Sequence, residues 1–313
     1  MAKIALIVPP LRANSGDYKK AAESVGVQDL ASMLVAEGHK VLIIDSALEG
    51  FKNLRSDEGW TKEYGLPDEG IVWRIREFSP DLIGLSSIAT SQFISLIKTA
   101  KLLKSNFPDT PIVAGGAGAD GLPELTLYAS RGAIDAVCIH EGYTWLSEVV
   151  KELENGLSLG DILSALIGSA SLNKEGNYMQ VIAITRKGQE NDEEVLHAIA
   201  CGASLYSLEL QGLINRDIKA RSYARPERNP DITATYPRTS KPTYADRQPE
   251  GTLYIDVFFS LGCPNACTFC ATHSRQGSLK DECGQLRLYE LDKIRDFLKQ
   301  MKERGFSHLI FQD

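Results

Sequence analysis

The stretch DLIGLSSIATSQFISLIKTAKLLKSNFPDTPIVAGG, residues 81–116, decides the fold of the first half of this chain. It reads as a short apolar run (81–86), a helical stretch (91–106) and a second short apolar run (111–114). Small residues follow both apolar runs, Ser86-Ser87 after the first and Gly115-Gly116 after the second. A strand, a helix and a strand in that order bring the chain back in its original direction, so the two strands are parallel neighbours. The alternation extends both ways, with further apolar runs at 3–8, 40–45 and 135–139 and helical stretches at 18–37, 70–78, 122–131 and 143–155.

Strands alternating with helices in this way predict an α/β domain over residues 1–155, a doubly wound parallel sheet in a flavodoxin-like arrangement. Ligands of such sheets bind beyond the C-terminal ends of the strands. Those ends carry Pro9-Pro10, Asp45-Ser46, Ser86-Ser87, Gly115-Gly116 and Glu141-Gly142-Tyr143. Gly115, Gly116 and Gly118 are expected to let backbone approach a bulky ligand, and Ser86 and Ser87 offer hydroxyls without bulk. Gly116-Ala-Gly118-Ala-Asp-Gly121 also matches a GxGxxG dinucleotide pattern, with Glu141 where an acidic ribose ligand would be sought. That reading fails on position. The dinucleotide fingerprint belongs after the first strand, where this chain has Pro9-Pro10-Leu11-Arg12.

Beyond residue 155 the pattern changes. Residues 162–171 and 178–184 flank Asn173-Lys-Glu-Gly176 and read as two strands joined by a hairpin turn. Residues 190–200 read as a helix, and 221–250, punctuated by Pro226, Pro230, Pro237, Pro242 and Pro249, as a connector. Residues 156–250 are therefore taken as a linker segment. A strand over 252–260 then delivers Gly262-Cys-Pro-Asn-Ala-Cys-Thr-Phe-Cys-Ala271. A helix follows over 288–304, with Leu288, Leu291, Ile294, Leu298 and Met301 at helical spacing, Gly305 stops it, and 308–311 begins another strand. Cys263, Cys267 and Cys270 thus sit on one loop of a β-loop-α-β unit. A structural zinc site takes four ligands, whereas a cubane cluster on three cysteines keeps one iron open to substrate. The competing reading is a zinc knuckle completed by His273 or Cys283; the strand before and the amphipathic helix after the run argue against it. Cys138 and Cys201 read as packing residues, and the role of Cys283 stays open.

The CxxxCxxC run with its flanks resembles the signature of the radical S-adenosylmethionine (SAM) superfamily. The resemblance implies a [4Fe-4S] cluster on Cys263, Cys267 and Cys270, SAM as cofactor, and Phe269 packed near the SAM adenine. The first domain, by its place and by the Ser-Ser, Gly-Gly and Glu-Gly-Tyr-Thr pieces after strands three to five, resembles the cobalamin-binding domain that precedes many radical SAM modules. That implies cobalamin held near Ser86, Ser87, Gly115, Gly116, Glu141, Gly142, Tyr143 and Thr144. One departure concerns the cobalt. Mutase-type domains ligate it with a histidine after the first strand, and this chain has no histidine between Met1 and Glu37; the resemblance is to the branch that binds cobalamin base-off. His140 is read as a rim residue.

The implied fold is thus a cobalamin-binding domain, a linker and, over 251–313, the start of a radical SAM partial (β/α)6 barrel. The chain ends one strand after its helix, so four further strand-helix units are expected beyond Asp313. The implied activity is reductive cleavage of SAM to a 5′-deoxyadenosyl radical with methyl transfer to an unactivated position of a small-molecule substrate, an electron donor such as flavodoxin or ferredoxin supplying the reductant. The alternatives are a radical SAM cyclase or rearrangement enzyme of the anaerobic porphyrin cyclase-like type, or an inactive truncated cobalamin-binding module. Composition narrows the partners. A net charge of −7 with no Lys/Arg-dense stripe gives no footprint for nucleic acid. No apolar run reaches the ~18 residues that span a bilayer, the start MAKIALIVPP has no signal-peptide cleavage pattern, and six cysteines with three clustered fit a reducing cytoplasm.

Overall fold

A computed structural model describes residues 1–14, 24–56, 61–139, 142–166, 169–172, 176, 178–181, 254–257, 259–261, 287–288, 291–303 and 305–311. In chain order the first elements are β1 (Lys3–Val8), β2 (Leu11–Asn14), α1 (Val25–Ala36), β3 (Lys40–Asp45), α2 (Ser46–Glu49), β4 (Leu54–Ser56) and β5 (Thr61–Tyr64). Then come α3 (Asp68–Phe78), β6 (Leu82–Ser86), a 3-10 turn at Thr90–Gln92, α4 (Phe93–Asn106), β7 (Ile112–Gly115), α5 (Ala117–Asp120) and α6 (Pro123–Ser130). The sheet is completed by β8 (Ala136–Cys138), α7 (Gly142–Glu154), α8 (Leu159–Ala165), β9 (Ser169–Leu172) and β10 (Tyr178–Val181).

The main sheet runs β10-β9-β8-β7-β6-β1-β3. Its five parallel strands, taken in chain order, follow the 2-1-3-4-5 sequence of a flavodoxin-like sheet, as the strand pattern predicts. Alternate side chains of each strand go to opposite faces. Ala5, Ile7, Ile83, Leu85, Ile112 and Ala114 meet Ile71 and Ile75 of α3, Leu96 and Leu103 of α4 and Leu127 of α6. Ile4, Leu6, Val8, Leu82, Val113 and Ala136 meet Val27 and Leu34 of α1 and Trp145 and Val149 of α7. Helices on both faces are why these strands are continuous apolar runs rather than alternating ones. Cys138 belongs to the second core, consistent with its reading as a packing residue.

The hairpin grouped with the linker from sequence is hydrogen-bonded into this sheet: β9 pairs antiparallel with β8 and β10 with β9. Trp145 of α7 reaches it, its buried indole N–H donating to Ser169 Oγ at 2.9 Å. The expected strand over 162–171 begins only at Ser169, because Ser158 caps a helix whose Leu159, Ile162 and Leu163 pack on the core. Ser158 Oγ accepts the Asp161 N–H at 3.2 Å there. α1 runs from Val25 with Ser24 extended before it, and residues 18–23 of the expected helix lie outside the described residues. At the opposite flank, β3 has side chains on its outer edge: Arg74 donates to the Ile43 carbonyl at 3.2 Å and pairs with Glu49, which accepts the Asp45 N–H at 3.1 Å.

A separate antiparallel sheet, β2-β5-β4, was not expected from the sequence. It packs Leu11 and Ala13 against Ala47, Leu48 and Tyr64. The second half of the chain contributes β11 (Tyr254–Val257), β12 (Ser260–Leu261), β13 (Arg287–Leu288), α9 (Leu291–Glu303) and β14 (His308–Phe311). β11 and β14 are parallel, with Tyr254 opposite His308 and Val257 opposite Phe311, so the expected β-α-β unit is present. Its helix begins three residues later than predicted: Leu288 is in β13, and Leu291 is 76% exposed. The face that packs runs through Phe297 and Met301 toward Phe259, Phe306 and Leu309, with Phe259 edge-on to Phe297 at 6.1 Å and to Phe311 at 5.6 Å. The helix proposed at 190–200 and the connector at 221–250 lie outside the described residues.

The two cores fix the expected mutational response of the full chain. Leu103→Ala, at a fully buried position, lowers unfolding free energy by about 2–5 kcal/mol. Trp73→Ala, on the exposed face of α3, changes it by no more than about 0.5 kcal/mol. Urea unfolding followed by circular dichroism checks both.

Candidate functional site

The C-terminal edge of the parallel sheet is where the candidate residues gather, and its outlets differ in what they leave open. After β1 the chain turns through Pro9-Pro10 directly into β2, so an antiparallel strand occupies the place of a first ligand loop. Arg12 of β2 donates to Thr61 Oγ1 on β5 at 3.0 Å. After β3, Asp45 is almost fully buried and caps α2, its Oδ1 accepting the Leu48 N–H at 3.0 Å. Ser46 Oγ accepts the Leu66 N–H at 3.0 Å. Gly65, at φ +152°, has no room for a side chain, since a Cβ there would stand 2.8 Å from Ser46 Oγ and 2.9 Å from Pro10 Cβ. Asp45 therefore fixes the start of α2, and Ser46 ties to it the chain that leaves the small sheet after β5.

The outlets of β6 and β7 interlock. Ser86 stands opposite Gly115, the Ser87 N–H donates to the Gly115 carbonyl at 2.9 Å, and the Gly118 N–H returns to the Ser87 carbonyl at 2.8 Å. Gly116 adopts φ +88° and ψ 160°, a conformation open in practice only to glycine. A Cβ at Gly116 would lie 2.6 Å from the Ser87 carbonyl oxygen, and one at Gly118 would lie 2.5 Å from Ser87 Oγ. The missing side chains of Gly116 and Gly118 also admit the chain's own approach at Ser87 and Ala89. Ser87 is fully buried, with its hydroxyl turned to the Ala89 carbonyl at 3.4 Å. Ser86 and Gly115 are half-buried and Gly116 is exposed, which leaves a low rim of backbone and small side chains. Ile88, 63% exposed, adds apolar surface directly after Ser87.

At the β8 outlet, His140 and Glu141 lie outside the described residues. Gly142 and Tyr143 open α7 and rest on α1: a Cβ on Gly142 would meet Leu30 at 3.6 Å, and the Tyr143 hydroxyl donates to Asp29 at 3.4 Å. Thr144 lies in the same first turn. His39 is at the other end of the sheet, where its Nδ1 accepts the Ala2 N–H at 3.3 Å. Beside it, the N-terminal ammonium pairs with Glu154 and holds that carboxyl below its usual range, with a smaller contribution from His39.

Cys263, Cys267, Phe269 and Cys270, with His273, Cys201 and Cys283, lie outside the described residues. What is described is the frame around the cysteine run. Ser260 pairs with Leu288 and Leu261 with Arg287, so residues 262–286 are the segment between two paired strands. Among the described residues no cluster of three or more His, Cys, Asp or Glu side chains is placed to hold a metal ion. No helix among them is long and apolar enough to cross a membrane.

Residues 12–150 match the B12-binding domain family, and the flavodoxin-like sheet is of that cobalamin-binding type. The chain is 25% identical over 318 residues to a cytidylyl-2-hydroxyethylphosphonate methyltransferase of Streptomyces wedmorensis, covering 99% of this chain and 54% of that one. The apo structure of OxsB, a cobalamin-dependent SAM radical enzyme, superposes with a TM-score of 0.55 at 16% identity, over 100% of this chain and 34% of OxsB. The chain therefore spans about half the length of the curated relative and a third of the solved one.

The interlock makes a testable distinction between two glycines of positive φ. Gly132 has φ +79° with nothing within 4 Å of the place a Cβ would take, so Gly132→Ala costs only the conformational strain of about 1–2 kcal/mol. Gly116→Ala adds the collision with Ser87 and is expected to cost at least about 1 kcal/mol more. Urea midpoints of the two variants measure the difference.

Proposed function

We propose that this chain is the cofactor-binding part of a cobalamin-dependent radical SAM enzyme that methylates an unactivated position of a small-molecule substrate. The observation that carries the reading is the order of parts in one chain: a B12-binding domain followed by a β-α-β unit whose first loop holds a CxxxCxxC run. The rim fits the first cofactor. Its exposed backbone at Gly116, the half-buried Ser86 and Gly115, and the apolar Ile88 beside them suit a broad, flat macrocycle with amides at its periphery. Cobalamin would be held there, with Ser86, Gly115, Gly116 and the segment 141–144 as the chain's contributions. Three thiols fit the second cofactor, because Cys263, Cys267 and Cys270 supply one ligand fewer than a cubane needs.

When bound, these groups supply the chemistry: the cluster delivers an electron for reductive cleavage of SAM, and cobalamin carries the methyl group. The protein's part is to fix geometry. The interlocked β6 and β7 outlets hold the rim without a mobile side chain, and the β12–β13 pairing closes the base of the cysteine segment. Phe269 would pack against the SAM adenine, and a flavodoxin or ferredoxin would deliver the electron, in a reducing cytoplasm. Methyl transfer, rather than cyclisation, is favoured by the likeness to a methyltransferase over 99% of this chain and 54% of that relative.

Anaerobic reconstitution of the full chain with iron, sulfide and hydroxocobalamin tests the reading. About four irons and one cobalt per chain are expected, with a base-off cobalamin spectrum. Replacing Cys263, Cys267 and Cys270 together by Ala should abolish iron uptake and leave cobalt bound. Iron loading that survives the triple replacement would remove the cluster assignment, and absence of cobalt in the parent chain would remove the cobalamin assignment.

A further inference from the structure

Gln92 is a buried amide that no sequence motif singles out, and it stands under the loop that forms half of the rim. Only 7% of it is exposed. Its side-chain Oε1 accepts the Ile88 N–H at 2.7 Å, the shorter of the side-chain bonds in this loop, and its own backbone N–H donates to the Ala89 carbonyl at 2.9 Å. Between them these bonds close residues 88–92 into a fixed turn. The strand side of the same loop is held by the Ser87–Gly115 and Gly118–Ser87 bonds, so Gln92 supplies the restraint that the β7 outlet does not. Position adds to this. The Thr90–Gln92 turn lies beside β2, the element into which β1 empties, so it stands where the outlets of β1 and β6 diverge. That is the topological switch point at which ligands of doubly wound sheets bind.

A buried amide is costly unless hydrogen-bonded, and a leucine or methionine would fill the same volume more simply. Retaining the amide secures one thing: the backbone N–H of the exposed Ile88, directly after Ser87, is satisfied internally, which fixes the backbone at that point of the loop. We propose that Gln92 is a positioning residue for the cobalamin-binding edge, acting through the Ser86–Ile88 turn rather than by touching the cofactor. The inference rests on the cobalamin reading above.

The test is hydroxocobalamin titration of the full chain, followed by its absorption spectrum, for the parent, Gln92→Met, Gln92→Glu and Ser130→Ala. Gln92→Met keeps the volume and removes the acceptor; it is expected to raise Kd roughly tenfold, the scale of one buried hydrogen bond. Gln92→Glu keeps an acceptor oxygen at the same reach and should restore binding to within about threefold of the parent. Ser130→Ala deletes another buried bond, to the Ile134 N–H at 3.2 Å beyond the C-terminus of α6; it should lower the urea midpoint and leave Kd unchanged. Equal affinity of Gln92→Met and the parent overturns the proposal, as does equal weakening by Gln92→Met and Ser130→Ala, which would make the effect one of stability alone. A parent chain that binds no cobalamin overturns instead the reading on which the inference stands.

Discussion

The burial of β1 on both faces is the constraint on which the rest of the domain depends. Ile4 and Leu6 point into one core and Ala5 and Ile7 into the other, and all four are nearly or fully inaccessible to solvent. A strand so placed must be central, must have parallel neighbours on each side, and must have helices above and below. Its neighbours β3 and β6 lie in successive positions of the chain on opposite sides, which creates the divergence of outlets at the C-terminal edge. Backbone and loop residues at that edge are then the part of the domain left for recognition, since the strand side chains are already committed to a core.

Much of this was legible in the sequence, and the reason is two-sided burial. Continuous runs such as 3–8 and 82–86 have no competing interpretation when helices with an apolar stripe separate them. All five parallel strands fall within one or two residues of their expected bounds. Several misread places involve a signal that periodicity does not carry. At 159–165 a Ser158 cap turned an apolar stretch into helix. At 11–14 a short strand pairs with residues 61–64 far along the chain, which local pattern does not encode, and β4 adds to the same partner from close by. At 288–291 the first apolar residues of a helical repeat belonged to a strand and to an exposed first turn.

The candidate site was legible as a place and less so as a set of roles. Small residues at strand ends mark the edge correctly, yet the same residues serve two purposes that sequence does not separate. Gly116 and Gly118 are small because Ser87 and Ala89 press against them, and Tyr143 leans on Asp29 of α1. Gln92 escaped notice because a polar residue near a helix start has an ordinary explanation as a solvated one; only its burial and its 2.7 Å bond to Ile88 reveal otherwise. The cysteine run was read from its spacing together with the strand before it and the helix after it, and it lies outside the described residues.

The hairpin β9–β10 has a consequence for where this domain can be cut. On the far flank, Arg74 and Glu49 occupy peptide groups of β3 that would otherwise face outward. On the near flank β8 is covered by β9 through Val137 and Ala170 and their neighbours. A boundary drawn at residue 155 would strip that cover and present β8, short and wholly apolar, as a template for another chain. β9 and β10 therefore belong with the domain, and an excised domain keeps β8 paired on both sides only if it retains them.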